Sequence, residues 1–291
     1  MLFGICYLEF GIWNLVLVIC YLEFVIWYLL FVICYLLFGI WYLEFGTWNL
    51  EFMSDVWQDG YTLHTFMCDA ECKARLTAIC HCMQESAGRH AAQFRLGYEG
   101  MQANNQAWVL NRMRVQIDDY PDWKSKLYVE TWVQMMRGPF SQRYFLLKNE
   151  NEETIGSANT FWVVIDATTH KPQRLKSQTE IPVIDRVPSC GTAEKIVLPD
   201  DLQLLESHRV RQSDLDLLHH VNNVKYLEWI LDAQTNIKAT RPHQIDLNFV
   251  GEARLNDKVE IYSKESDDQQ FYQIKSGEKE ICRAVLRMIK E

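Results

Sequence analysis

The chain has 291 residues, 48% apolar and 23% charged, with a formal net charge of −9 and a pI near 5.4. That composition excludes a disordered or collagen-like chain, and the acidic balance argues against a nucleic-acid binder, which normally carries a basic stripe. The length accommodates one or two domains with ample core.

Residues 1–52 are unlike the rest. They hold 16 of the 37 aromatic residues and four glutamates, Glu9, Glu23, Glu44 and Glu51, but neither Lys nor Arg. From Gly4 onward they read as seven near-copies of one heptad, GICYLEF through GTWNLEF. Almost every heptad position is apolar, so no coiled-coil seam is defined. The basic start and small-residue cleavage site of a signal peptide are not visible. Phe24 to Leu43 is a run of twenty uncharged residues, long enough to span a bilayer, but no flanking cation sets its orientation. The segment therefore reads as a translated tandem repeat upstream of a start at Met53, as a membrane anchor, or as something else. The first reading is preferred. As polypeptide it is β-prone, aromatic and nearly uncharged, which is an aggregation hazard.

Residues 53–291 keep all 29 Lys and Arg and lose four of the 38 carboxylates, so the net charge falls from −9 to −5. The six cysteines of this part, Cys68, Cys72, Cys80, Cys82, Cys190 and Cys282, read as reduced thiols. Cys80-His81-Cys82 lacks the paired spacing of zinc sites, and no metal is expected.

In chain order, Tyr61–Cys68 reads as extended and Lys73–Gly88 as a helix. Strands follow at Ala107–Ile117, Leu127–Met136, Ser141–Leu147 and Ile155–Ile165, with the polar KNENEET (148–154) as a hairpin turn. Pro172–Pro199 reads as a linker. Beyond it, His208–Gln212 is extended and Asn222–Ala233 helical, followed by strands Gln244–Val250, Lys258–Ser263, Gln270–Lys275 and Ile281–Ile289, with SGEK (276–279) as a turn. One helix and then a run of antiparallel strands, twice over, indicates an α+β class. A weak internal match, DWKSKLYVE (122–130) with LNDKVEIYS (255–263), points to duplication.

The densest polar cluster is DLDLLHHVNNVKYLEW, Asp214 to Trp229, at the entry to the second helix. Free backbone N–H groups at such a junction suit an oxyanion, but capping by Asn222 or Asn223 explains the same residues. The segment resembles the D-x-D-x-N-x-H-V-N-N-x-x-Y signature of the acyl-acyl-carrier-protein thioesterases of plants and bacteria. Asp214, Asp216, His220, Val221, Asn222, Asn223 and Tyr226 match it. The resemblance extends to AWVLNRMRVQIDDYPDW (107–123), YVETWV (128–133) and LNFVGEARLNDKVEI (247–261), and so to nearly all of 58–290.

The resemblance implies a double hotdog, two curved antiparallel sheets each wrapped around a long helix. Residues 53–171 would bind the acyl chain, 172–199 would link, and 200–291 would carry the chemistry. It places the active-site acid on Glu252, the aspartate on Asp216 and the histidine on His220, with Asn222 and Asn223 at the substrate. Met101, Trp108, Leu110, Met113 and Trp162 would line the chain tunnel. Ala253 stands where plant members carry Cys, so a cysteine nucleophile is unavailable there. Leu218 stands where the signature has Asn, removing a polar donor that His219, Asn222 or helix-start N–H groups would have to replace.

The implied chemistry needs no cofactor. Glu252 activates a water or attacks the thioester directly, His220 and helix-start N–H groups hold the oxyanion, and Asp216 orients them. Burial beside Phe249 and Val250 would make Glu252 basic enough to act near neutrality. The implied partner is acyl carrier protein, itself acidic, which requires a local basic patch around Lys171, Arg174 and Lys176 or around Arg209 and Arg211. A monomer or homodimer in a bacterial cytoplasm is expected, with a membrane involved only if 1–52 is genuine. Rival readings are an acyl-coenzyme A thioesterase, a non-catalytic acyl-binding module prompted by Leu218, and a membrane-tethered thioesterase.

Overall fold

The computed structural model describes residues 21–37, 55–176, 181–234, 241–266 and 268–288. The chain divides into two compact units, Met1–Ser54 and Asp55–Glu291. In the first, residues 21–37 are helical (α1). The remainder of the uncharged run, 38–43, lies outside the described residues, and among those described no helix is long and apolar enough to cross a membrane.

The second unit is built on one ten-stranded antiparallel sheet. Its strands are β1 (Trp57–Thr62), β2 (Gln106–Ile117), β3 (Lys126–Arg137), β4 (Phe140–Lys148) and β5 (Thr154–Asp166), then β6 (Gln203–Arg209), β7 (Gln244–Phe249), β8 (Lys258–Ser266), β9 (Gln269–Ser276) and β10 (Lys279–Arg287). The order across the sheet is β1-β3-β4-β5-β2-β7-β10-β9-β8-β6. Outward from the β2·β7 seam, each half places its second, fifth, fourth, third and first strand in turn. The pairing thus repeats about the seam, and the weak internal match falls at equivalent places, where β3 and β8 begin.

Among the described residues three helices accompany the sheet: α2 (Leu76–Gln93), α3 (Tyr98–Ala103) and α4 (Asn223–Asp232). Leu76, Ile79, Cys80, Met83 and Ala87 fall three or four apart on α2 and are buried, which is the apolar stripe of a core-facing helix. Val224, Leu227, Ile230 and Leu231 form the matching stripe on α4. Both pack with Met113, Val115, Ile117, Leu127, Val129 and Leu247 in one core on the same face of the sheet.

The alternate residues of those strands face the other way. There the segment from Ile181 to Pro199 crosses the sheet as a strap, tied by side chains to its backbone. Asn159 Oδ1 accepts from Ala193 N at 2.9 Å and Asn248 Oδ1 from Ile196 N at 2.8 Å. Trp132 Nε1 donates to the Arg186 carbonyl at 3.1 Å.

Three elements depart most from the expected bounds. The first strand ends at Thr62 and is followed by a 3-10 turn, Thr65–Met67, not by more strand. The strand expected at His208–Gln212 is Gln203–Arg209, ending before a 3-10 turn at Gln212–Asp214. Helix α2 runs past Gly88 to Gln93, although a helical glycine costs roughly 1 kcal/mol, and so carries His90 into the interior, where Nδ1 accepts from Arg143 Nη1 at 2.9 Å.

Candidate active site

The signature residues fold into a tight loop before α4. Asp216 N donates to the His220 carbonyl at 2.8 Å, and Leu215 and Val221 pair as an isolated antiparallel bridge. The Asp216 carboxylate closes the loop from within, its Oδ1 accepting from Leu218 N at 2.8 Å and from His220 N at 3.2 Å. His219 takes the left-handed conformation, with φ of 61°. Asp216 thus grips the backbone on which His220 is mounted.

Glu252 approaches from the turn after β7. Val250 N and Gly251 N both donate to the Ile281 carbonyl, at 2.9 and 3.0 Å. A Cβ at Gly251 would lie 2.5 Å from the Glu280 carbonyl oxygen, so this close approach requires glycine. Ala253 N donates to the Tyr226 hydroxyl at 3.0 Å, and Val221 N to the Ala253 carbonyl at 3.4 Å. The two loops are therefore stitched together, and they bring His220 Nδ1 to 3.5 Å from Glu252 Oε2. Arg254 Nη2 lies 3.3 Å from Glu252 Oε1, and Lys279 Nζ donates to the Glu252 carbonyl at 2.9 Å.

The expected burial of Glu252 is not found: its side chain is 35% exposed and Val250 is exposed as well, although Phe249 is buried. The turn that presents the carboxylate projects beyond the end of β7, which limits how deeply it can be covered.

The helix-start donors are also fewer than expected. Asn222 is the N-cap: its Oδ1 accepts from Val224 N at 2.9 Å, and its carbonyl accepts from Lys225 N at 2.8 Å. Asn222 is thereby committed to the helix. The Asn223 N–H, on the first residue of α4, has no acceptor among the described residues.

Beside the loop in sequence, Asp214 is buried and well partnered, with Lys225 Nζ 4.0 Å from its Oδ1. Its Oδ2 accepts from Arg211 N at 2.7 Å and lies 3.3 Å from His208 Nε2, while its carbonyl accepts from Asn222 N at 2.9 Å. The His208 ring packs on Trp229 with centroids 4.6 Å apart. Sequence reasoning did not single out His208; the only signal was its position six residues before Asp214.

A cavity of about 230 Å³ lies among α2, α3 and strands β2 to β5. Met101, Trp108 and Trp162 line it, and so does Leu218 from the signature loop. Trp108 is oriented by donation from Nε1 to the Leu96 carbonyl at 3.0 Å, and Trp162 by donation to Thr160 Oγ1 at 2.9 Å. Leu110 and Met113 are not among the cavity residues; both are buried in the main core. One loop thus carries both His220, turned to Glu252, and Leu218, which lines the cavity.

Residues 54–181 match the acyl-ACP thioesterase N-terminal domain and residues 199–287 the C-terminal domain. The chain belongs to the acyl-ACP thioesterase family. It is 28% identical over 193 residues to the chloroplastic palmitoyl-acyl carrier protein thioesterase of Gossypium hirsutum, covering 61% of this chain and 47% of that protein. The chain spans about half the length of the curated relatives it matches. Among solved structures, an acyl-ACP thioesterase from Bacteroides thetaiotaomicron superposes with a TM-score of 0.70 at 23% identity, covering 80% of this chain and 97% of that one. The 12:0-ACP thioesterase from Umbellularia californica gives 0.68 at 19% identity, with the same coverages. These likenesses establish the fold.

Proposed function

We propose that this protein hydrolyses the thioester of fatty acyl-acyl carrier protein, releasing free fatty acid and ending chain synthesis. The approach of His220 Nδ1 to Glu252 Oε2 at 3.5 Å, across two loops joined by the Tyr226 hydroxyl, is the observation that carries this reading. The relatives named above as thioesterases, and the symmetric strand order about the β2·β7 seam, support it. On this reading the fold is a double hotdog, with 53–171 binding the chain, 172–199 linking the halves and 200–291 carrying the chemistry.

Glu252 takes a proton from a water, whose oxygen then adds to the thioester carbonyl carbon. The Asn223 N–H and the His220 ring stabilise the oxyanion that forms. Collapse of the intermediate breaks the carbon–sulfur bond, and the proton held by Glu252 goes to the departing thiolate. One water and one thioester give one carboxylic acid and one thiol. Asp216 is a positioning residue, acting through the backbone N–H groups of Leu218 and His220. Leu218 gives up the polar role of the signature asparagine and contacts the acyl chain instead, which its place in the cavity lining supports. Arg209 and Arg211, both exposed and next to the Asp214 loop, form the carrier-protein patch in preference to Lys171, Arg174 and Lys176.

Expression of the chain in a fatty-acid-synthesising host tests the proposal. Free fatty acids should rise several-fold above the vector control. No rise, or equal hydrolysis of coenzyme A and carrier-protein esters by the purified chain, would contradict it.

A further inference from the structure

The chain cavity contains a group that an unsubstituted fatty chain does not need. Arg143 lies on β4, is 6% exposed and lines the cavity. Its Nη1 donates to His90 Nδ1 at 2.9 Å and to Thr131 Oγ1 at 3.1 Å. A guanidinium can only donate, so His90 Nδ1 is the acceptor. These two bonds use both Nη1 hydrogens. The Nε and Nη2 donors have no partner among the described residues. No acidic side chain among the described residues offsets the burial, which pulls the guanidinium down to about 10, still cationic at neutral pH. Ser141, two residues earlier on the same face of β4, adds a hydroxyl to the lining.

A buried, uncompensated guanidinium is costly in a pocket that is otherwise lined by Met101, Trp108 and Trp162. An aliphatic chain laid against it would leave up to three N–H donors desolvated and unpaired. An oxygen on the chain would satisfy them. Leu218 lines the same cavity two residues from His220, which sets the thioester end of the chain at the signature loop; Arg143, anchored to α2 through His90, belongs to the interior of the first half. The oxygen would therefore be remote from the thioester.

We propose that the preferred substrates are acyl thioesters whose chain carries a hydrogen-bond-accepting oxygen, hydroxyl or carboxylate, at or near the far end, bound by Arg143 with Ser141. This deepens the thioesterase reading and rests on it for the reaction, though not for the binding.

The test compares carrier-protein thioesters of octanoate and dodecanoate with their ω-hydroxy and ω-carboxy counterparts, using the full chain. One oxygenated series should exceed its unsubstituted partner by at least tenfold in kcat/KM, because a site built around buried donors rejects the analogue that cannot pair them. Preference for the ω-carboxy series identifies an ion pair, and for the ω-hydroxy series a neutral hydrogen bond. Arg143→Met should abolish the preference or invert it, and Arg143→Lys should retain part of it. Preference of the unmodified protein for the unsubstituted chains at both lengths would overturn the proposal without any variant having to fold. If no thioester is hydrolysed at all, the reaction assignment fails. Calorimetry with free dodecanoate and ω-hydroxydodecanoate then decides the binding: tighter binding of the hydroxy acid supports it, and equal or weaker binding overturns it.

Discussion

The Tyr226 hydroxyl accepts from the Ala253 backbone N–H at 3.0 Å, one residue beyond Glu252. Its effect on the reaction is indirect, through the position of the turn. Tyr226→Phe leaves a buried N–H unpaired, which costs about 1–2 kcal/mol of stability. The same change should lower kcat about tenfold with KM little altered, because the carboxylate shifts while the chain cavity does not. Urea unfolding and steady-state kinetics together check this, since a purely structural role would move the first and spare kcat. The resemblance to the family signature is what points to Tyr226, Asp216, His220 and Glu252; residue type and spacing alone leave helix capping as an equal reading. The sequence offers capping by Asn222 or Asn223 without choosing between them, and the structure gives it to Asn222. It does not disclose that Leu218 lines the cavity, because that depends on side-chain direction and on a lining shared with Met101 and Trp108, more than a hundred residues away in the chain, which local spacing does not encode.

The strands and helices whose buried faces follow a clean period are those the sequence delineates best. Strands β2 to β5 alternate between a core face and a strap face, and their ends fall within a residue or two of the expected ones. The edge strands are the poorly placed ones. β6 pairs with β8 alone and is exposed along most of its length, so little apolar alternation marks it. Helix α3 spans Tyr98–Ala103 and buries Met101 alone, too short for a period to be seen. The stripe of α2 makes a separate prediction. Burial pushes the Cys80 and Cys82 thiols up to about 12, and raises those of Cys68, Cys190 and Cys282 above the usual range. Because the folded thiols hold their protons, thiolate is scarce at pH 8 and access is poor. Iodoacetamide labelling of the native protein, read by mass spectrometry, should modify exposed Cys72 at least tenfold faster than those five. Denaturation should remove the difference.

At the scale of the whole second unit, the two halves meet along β2 and β7, and charge reinforces that seam. Asp246 on β7 is buried, accepts from Arg114 Nε on β2 and from Arg287 Nη1 on β10 at 2.6 Å, and is also bound by Gln244. Removing the acid strands two cations at the seam, so Asp246→Ala should destabilise the unit by about 3 kcal/mol or more. Thermal unfolding followed by intrinsic fluorescence and by far-ultraviolet dichroism should show one coincident, lowered transition, as expected if the sheet unfolds as one body. The duplication visible as a faint match between 122–130 and 255–263 becomes, in three dimensions, a mirrored strand order with a main core shared by both halves. That arrangement sets the cavity in one half and Glu252 in the other, with the loop from Asp214 to Asn222 reaching both. The most direct measurement of this account is thiol release from a purified acyl-acyl carrier protein by the full chain and its Glu252→Gln variant. The account predicts turnover by the parent and a loss of at least a hundredfold in kcat for the variant, with folding intact. Parent-like turnover by Glu252→Gln would contradict it.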